Sequence, residues 1–146
     1  VYCPVHFRCT NSLTRPYAGE GECMEALARA GIKRAVVTNK SQTAADALWK
    51  TLLAPYGFSA VFGNREGIPV KPDPTSALLV LEQLGVKPSE AAFVGDGDTD
   101  VQTAKNAGMR SVSVLWGYRT REELIAAGAE LFAEDYAQLT RILLSM

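Results

Sequence analysis

The sequence predicts an α/β fold, a doubly wound and mostly parallel sheet with helices on both faces. Two observations carry that expectation. From residue 20 onward, apolar runs of strand length alternate with helix-length segments, the rhythm that builds parallel sheets. Polar or charged residues then fall directly after those runs, at the strand ends where open α/β sheets bind ligands. Length agrees, since 146 residues with 47% hydrophobic content make about one domain with a real core.

Taken in order, the first sixteen residues, "VYCPVHFRCTNSLTRP", mix aromatic, Pro and polar residues, and are expected to end a separate element rather than join the sheet. "GECMEALARAG" predicts a helix closed by Gly31, followed by a valine-rich strand in "KRAVVTN". "SQTAADALWKTLLAPYG" predicts a helix opened by Ser41 and stopped at Pro55 to Gly57, with "SAVFG" as the next strand. After the loop "NREGIPVKPDP" comes the helix "TSALLVLEQLG", whose apolar Ala77, Leu78, Leu81 and Leu84 keep helical spacing. "AAFVG" and "SVSVLWG" are expected strands flanking the helix "DVQTAKNAG", and further helices are expected near 120–127 and 135–145. The chain opens on Val1 rather than Met, which suggests a processed product, a designed chain or a fragment.

Composition narrows the function classes. Fifteen Lys and Arg against sixteen Asp and Glu give a net charge of -1, with no basic field for nucleic acid or an anionic membrane. No apolar stretch approaches the length of a membrane span, and no secretory leader is evident. Cys3, Cys9 and Cys23 are odd in number and lack C-x-x-C spacing, so neither a disulfide framework nor a zinc site is expected, and the cytoplasm is the expected compartment.

The chemistry concentrates at four strand ends. Thr38 and Asn39 follow "AVV", Lys71 lies in the loop after "AVFG", Asp96, Asp98 and Asp100 follow "AAFV", and Trp116 to Arg119 follow "SVSV". Three carboxylates so close together call for a compensating cation, and an all-oxygen cluster suits Mg2+. A calcium EF-hand is excluded, because its turn glycine would be Val101 and its bidentate glutamate Ala107. Asp98 is expected to cap the following helix, whereas Asp96 and Asp100 are read as functional. A hydroxyl, an ammonium and a carboxylate pair converging at one sheet edge suit a phosphoryl group, whose transfer depends mainly on positioning and charge neutralisation. Pro72 biases Lys71 toward extended backbone, and amides opening the helix after Ser41 add possible anion donors. The "WGYR" loop could line the site, though packing accounts for Trp116 and Tyr118 equally well. There is no phosphate-cradling G-x-x-x-x-G-K-[ST] loop, "GDGDTD" lacks the third glycine of a dinucleotide fingerprint, and no G-x-S-x-G elbow accompanies the lone His6.

"VVTNK", "VKPDP" and "FVGDGDTDVQTAKNAG", in that order, resemble motifs II, III and IV of the haloacid dehalogenase superfamily. "LTRPYAGEGECMEALARAGIKRAVVTNK" and "SVSVLWGYRTREELIAAGAELFAED" extend the resemblance to its phosphoglycolate phosphatase branch, across nearly the whole chain. The resemblance implies a Rossmann-like core and Mg2+-dependent hydrolysis of a small phosphorylated metabolite through an aspartyl-phosphate. In that reading Thr38 and Lys71 bind the phosphoryl group as catalytic residues and Asn39 supports it. Asp96 holds Mg2+, and Asp100 binds or orients the metal shell. Residues 1–16 resemble the end of the family's helical cap and 17–146 its core.

One part of the pattern is missing. Family members begin with a strand ending in D-x-D-G-T, whose first aspartate attacks phosphorus; nothing here corresponds to it. "VGDGDTD" imitates it superficially but follows Thr38 and Lys71, whereas the nucleophile belongs to the first strand. That strand lies mid-sheet, between those ending at Thr38 and Asp96. Its absence predicts that these two strands close onto each other, that a second chain or homodimer supplies the strand, or that the chain aggregates. A noncatalytic phosphate-binding or regulatory module is the alternative function. A phosphoacceptor receiver domain fits less well, because its acid precedes its hydroxyl and its lysine comes last.

Overall fold

The computed structural model describes residues 17–146; the cap remnant expected at residues 1–16 lies outside the described residues. Helix α1, Glu20–Arg29, turns Cys23, Met24 and Leu27 inward. In strand β1, Ala35–Ser41, the consecutive residues Ala35, Val36 and Val37 are all buried, as a strand covered on both faces requires. Ser41 ends β1 and caps α2, Gln42–Leu48, its hydroxyl accepting the Ala44 N–H at 3.3 Å. The long helix expected here is interrupted by a π turn at Trp49–Leu53 and a 3-10 turn at Ala54–Tyr56. Pro55, which brings no N–H to a helical ladder, accounts for the stop.

Strand β2, Ala60–Asn64, leads through the loop to α3, Thr75–Leu84, which Gly85 closes in the left-handed conformation at φ 65. The inward face of α3 carries Ala77, Val80 and Leu81, while Leu78 is 39% exposed. At 3.6 residues per turn Val80, and not Leu78, falls on the buried face with Ala77 and Leu81. Strand β3, Ala92–Gly95, helix α4, Asp98–Ala107, and strand β4, Arg110–Val114, follow as expected in type. Thr120 and Glu123 cap α5, Arg121–Ala126, reciprocally, and Asp135 caps α6, Tyr136–Leu144. Between these helices lies an unexpected three-residue strand, β5, Leu131–Ala133.

Among the described residues the strands form two parallel sheets, β1-β2 and β3-β4-β5. Ala35 pairs with Ala60 in the first, and Val94 with Val112 in the second. No ladder joins β1 to β3 among those residues, so the strands beside the missing position do not close onto each other. Their side chains nevertheless share two cores. Val36 and Val94 pack into one layer with Met24 and Leu139, while Ala35, Val37 and Phe93 enter the opposite layer with Val80 and Ala104. This is the alternation of one sheet interrupted by a gap.

Candidate functional site

The site gathers at the carboxyl ends of β1, β3 and β4. Thr38, half-buried near the end of β1, accepts the Lys40 N–H on Oγ1 at 3.2 Å, which fixes the hydroxyl against the turn. Asn39 uses its whole amide on a neighbouring loop: Oδ1 accepts the Lys71 N–H at 2.9 Å and Nδ2 donates to the Lys71 carbonyl at 3.2 Å. It therefore positions Lys71. The Lys71–Pro72 peptide is cis. Beyond it, Asn106 of α4 donates to the Pro72 carbonyl at 3.0 Å. Thr75 holds the Asp73 carboxyl below its ordinary range, first through its side chain and then through its backbone N–H.

From this clamped loop the Lys71 side chain runs inward over the Phe93 ring, and Nζ meets Asp100 Oδ1 at 2.6 Å. The pair is buried, with side chains 6% and 9% exposed. The other Asp100 oxygen, Oδ2, accepts the N–H groups of Asp96 and Gly97, each at 3.2 Å. Asp100 is thus committed on both oxygens. Asp96, also buried, accepts the Tyr118 N–H on Oδ2 at 2.9 Å, while no hydrogen bond to Oδ1 occurs among the described residues. One chain of contacts thereby links β1 to β4: Asn39 to Lys71, Lys71 to Asp100, Asp100 to the Asp96 backbone, and Asp96 to Tyr118.

Two glycines make the carboxylate geometry possible. A Cβ on Gly95 would collide with the Asp100 side chain, and one on Gly117 with that of Asp96. Neither was singled out from sequence, and the Tyr118 backbone amide leaves no side-chain signal at all. Asp98 departs from its expected role. It opens α4 without making a cap bond and pairs with Arg119 at the surface at 3.2 Å; Asp100, two residues on in the same first turn, satisfies the nearby amides instead. Trp116 stacks at 4.7 Å against Tyr136 and packs on the core, while the Tyr118 side chain is exposed. Of the amides expected to bind an anion after Ser41, that of Ala44 is taken by the Ser41 hydroxyl.

A divalent ion fits this donor set in part. Asp96 Oδ1 is a hard oxygen with capacity to spare, and Mg2+ commonly takes one or two carboxylates and keeps several waters. Among the described residues no three potential ligands cluster.

Open parallel α/β sheets bind ligands outside the carboxyl ends of their strands, the edge at which Lys71, Asp96 and Asp100 are joined here. The chain belongs to the haloacid dehalogenase-like hydrolase family, whose model matches residues 5–114. It is similar to phosphoglycolate phosphatase of Rhodospirillum rubrum, at 38% identity over 123 residues, covering 84% of this chain and 51% of that protein. Phosphoglycolate phosphatase of Pseudomonas putida is 31% identical over 130 residues, covering 89% of this chain and 48% of the relative. Among solved structures, a presumed phosphoglycolate phosphatase of Lactobacillus delbrueckii superposes with a TM-score of 0.87 at 31% identity, covering 91% of this chain and 55% of that one. CbbY of Rhodobacter sphaeroides, solved with xylulose-(1,5)-bisphosphate, superposes with a TM-score of 0.71 at 30% identity, covering 84% and 55%. The chain spans about half the length of the curated relatives it matches.

Proposed function

We propose that this chain supplies the phosphoryl-binding and Mg2+-binding part of a phosphoglycolate phosphatase-like phosphomonoester hydrolase. The observation that carries the reading is the Lys71–Asp100–Asp96 connection at the carboxyl edge of the sheets, which fixes a cation beside a carboxylate with an oxygen to spare. Lys71 offsets the charge of the phosphoryl oxygens, Thr38 donates its hydroxyl to one of them, and Asn39 holds Lys71 in place. Mg2+, held by Asp96 and positioned through Asp100, supplies further charge neutralisation when bound.

The chemistry requires a nucleophilic aspartate that this chain does not contribute. In the longer protein that carboxylate attacks phosphorus, the bond to the alcohol oxygen breaks, and water then cleaves the acyl phosphate to regenerate the carboxylate. The substrate is a small phosphorylated metabolite. The named relatives support phosphoglycolate, and the xylulose-(1,5)-bisphosphate bound to CbbY supports a sugar phosphate. Among the described residues no helix is long and apolar enough to cross a membrane. The cysteine set, odd in number and without C-x-x-C spacing, is what favours the cytoplasm as the protein's compartment. Alone, the chain binds without turnover.

Calorimetric titration with Mg2+ and then orthophosphate tests this directly. Asp96→Asn should weaken Mg2+ binding by at least about tenfold, the scale seen when metal-site partners are lost. Gly117→Ala should weaken it too, because the new Cβ displaces Asp96. Unchanged Mg2+ affinity in Asp96→Asn would reject the metal assignment. Release of phosphate from phosphoglycolate by the unaltered chain would reject the missing nucleophile. Binding without turnover by a longer natural protein would instead favour a regulatory phosphate-binding module.

A further inference from the structure

The segment 116–119 after β4 is anchored at both ends. Before it, Leu115 donates its N–H to the Ala133 carbonyl at 2.9 Å, and Trp116 stacks on Tyr136 at 4.7 Å. After it, the Thr120 N–H donates to Glu123 Oε2 at 2.8 Å and the Glu123 N–H to Thr120 Oγ1 at 3.3 Å. In between, the chain meets the end of β3, its parallel neighbour, at two adjacent points. The Tyr118 N–H donates to Asp96 Oδ2 at 2.9 Å, and one residue on, Arg119 Nε donates to Asp98 Oδ1 at 3.2 Å. Arg119 Nη1 also reaches Glu123 Oε1 at 3.4 Å, so a single guanidinium joins the first turns of α4 and α5. Gly117 passes so close to Asp96 that a Cβ there would collide with its side chain. A shift of this segment away from α4 lengthens the Tyr118–Asp96 and Arg119–Asp98 contacts together. Each contact therefore helps to hold the other.

We propose that Arg119 is a positioning residue of the metal site: by bridging Asp98 and Glu123 it keeps the Tyr118 N–H on Asp96 Oδ2, and so holds the Asp96 carboxylate in an orientation that reserves Oδ1 for a divalent cation. The inference rests on the Mg2+ reading of Asp96 given above, and adds to it a residue that acts through Tyr118 and Asp96. Magnesium demands near-octahedral placement of its oxygens, and partners that orient a ligand govern its affinity. The Arg119 and Asp98 side chains are 47% and 54% exposed, so the bridge is modest in strength and open to screening by salt. Its charge acts in the opposite sense. A guanidinium beside the site repels a dication, so removal of Arg119 by charge alone tightens Mg2+ binding, whereas loss of positioning weakens it. The two effects differ in sign.

Arg119→Gln in the full chain decides between them, with calorimetric Mg2+ titration and residue-resolved exchange of the Tyr118 amide. Mg2+ affinity should fall about threefold, and the metal-free Tyr118 amide should exchange about threefold faster, the scale of one exposed ion pair. Arg119→Lys keeps the charge and one arm of the bridge, and should restore at least about half of both losses. Raising salt from about 0.01 M to about 1 M should close the difference in Tyr118 exchange between the unaltered chain and Arg119→Gln. Tighter or unchanged Mg2+ binding in Arg119→Gln, or an unchanged Tyr118 amide, would overturn the proposal. So would weaker orthophosphate binding at unchanged Mg2+ affinity, which assigns Arg119 to the substrate instead. Asp96→Asn without loss of Mg2+ affinity would reject the underlying metal reading and this role with it, whereas the expected loss in Asp96→Asn with none in Arg119→Gln rejects this inference alone.

Discussion

Asp100→Asn tests the buried connection at the centre of the site. Asparagine preserves shape and retains one oxygen for the Asp96 and Gly97 N–H groups, so the substitution removes chiefly the carboxylate charge that Lys71 faces at 2.6 Å. Removing one partner of a buried pair costs roughly 3–5 kcal/mol, and the retained hydrogen bonds argue for the lower end, about 3 kcal/mol. With a urea slope of about 1.5 kcal/mol per molar, the unfolding midpoint should fall by about 2 M. Fluorescence of Trp49 and Trp116 reports the transition. Adding Lys71→Met removes the ammonium while keeping an unbranched apolar stem, so the double variant should recover at least about half of the loss. A midpoint within experimental error of the starting chain would refute the argument, as would a double variant that loses the sum of the two single changes.

Asn39→Ala removes both hydrogen bonds to the Lys71 backbone and should cost about 1 kcal/mol, with faster exchange of the Lys71 amide; unchanged exchange would show that the clamp is not what holds that loop. Burial raises the Glu20 carboxyl above its ordinary value of 4.5, partly opposed by the Tyr17 N–H it accepts. The folded state therefore binds that proton more tightly than the unfolded one. The stabilising contribution of protonation is full below 4.5 and is lost as pH rises through the raised value. Glu20→Gln should flatten this dependence and raise the thermal midpoint at neutral pH; a midpoint difference that shrinks as pH rises would contradict it.

Much of this arrangement was legible because strand ends and apolar runs are written in side chains. Ser41 and Gly85 punctuate the helices where expected, and Lys71 and Asp96 are joined through Asp100. The misses have physical reasons. β5 has only three residues, too few to establish a period, and the π turn at Trp49–Leu53 preserves a helical pattern while changing its hydrogen bonding. Asp98 and Asp100 cannot be told apart by type, since both lie in the first turn of α4 and only the fold decides which carboxylate turns back toward the amides. The role of Asn39 was hidden for a similar reason: its partner is a backbone, and a backbone has no letter.

Two kinds of glycine in this chain would separate in a saturation library. Gly31 and Gly85 sit at φ 72 and 65 with open space around them, so asparagine, which tolerates that region, is an acceptable replacement. Gly95 and Gly117 have no positive φ, yet a Cβ at either would land on an aspartate. Alanine is then as unwelcome as leucine, and the tolerance profile at both positions should be uniformly poor. Such a profile marks a carboxylate lying directly on main chain, and it would locate this site from survival data alone, before any ligand had been tried.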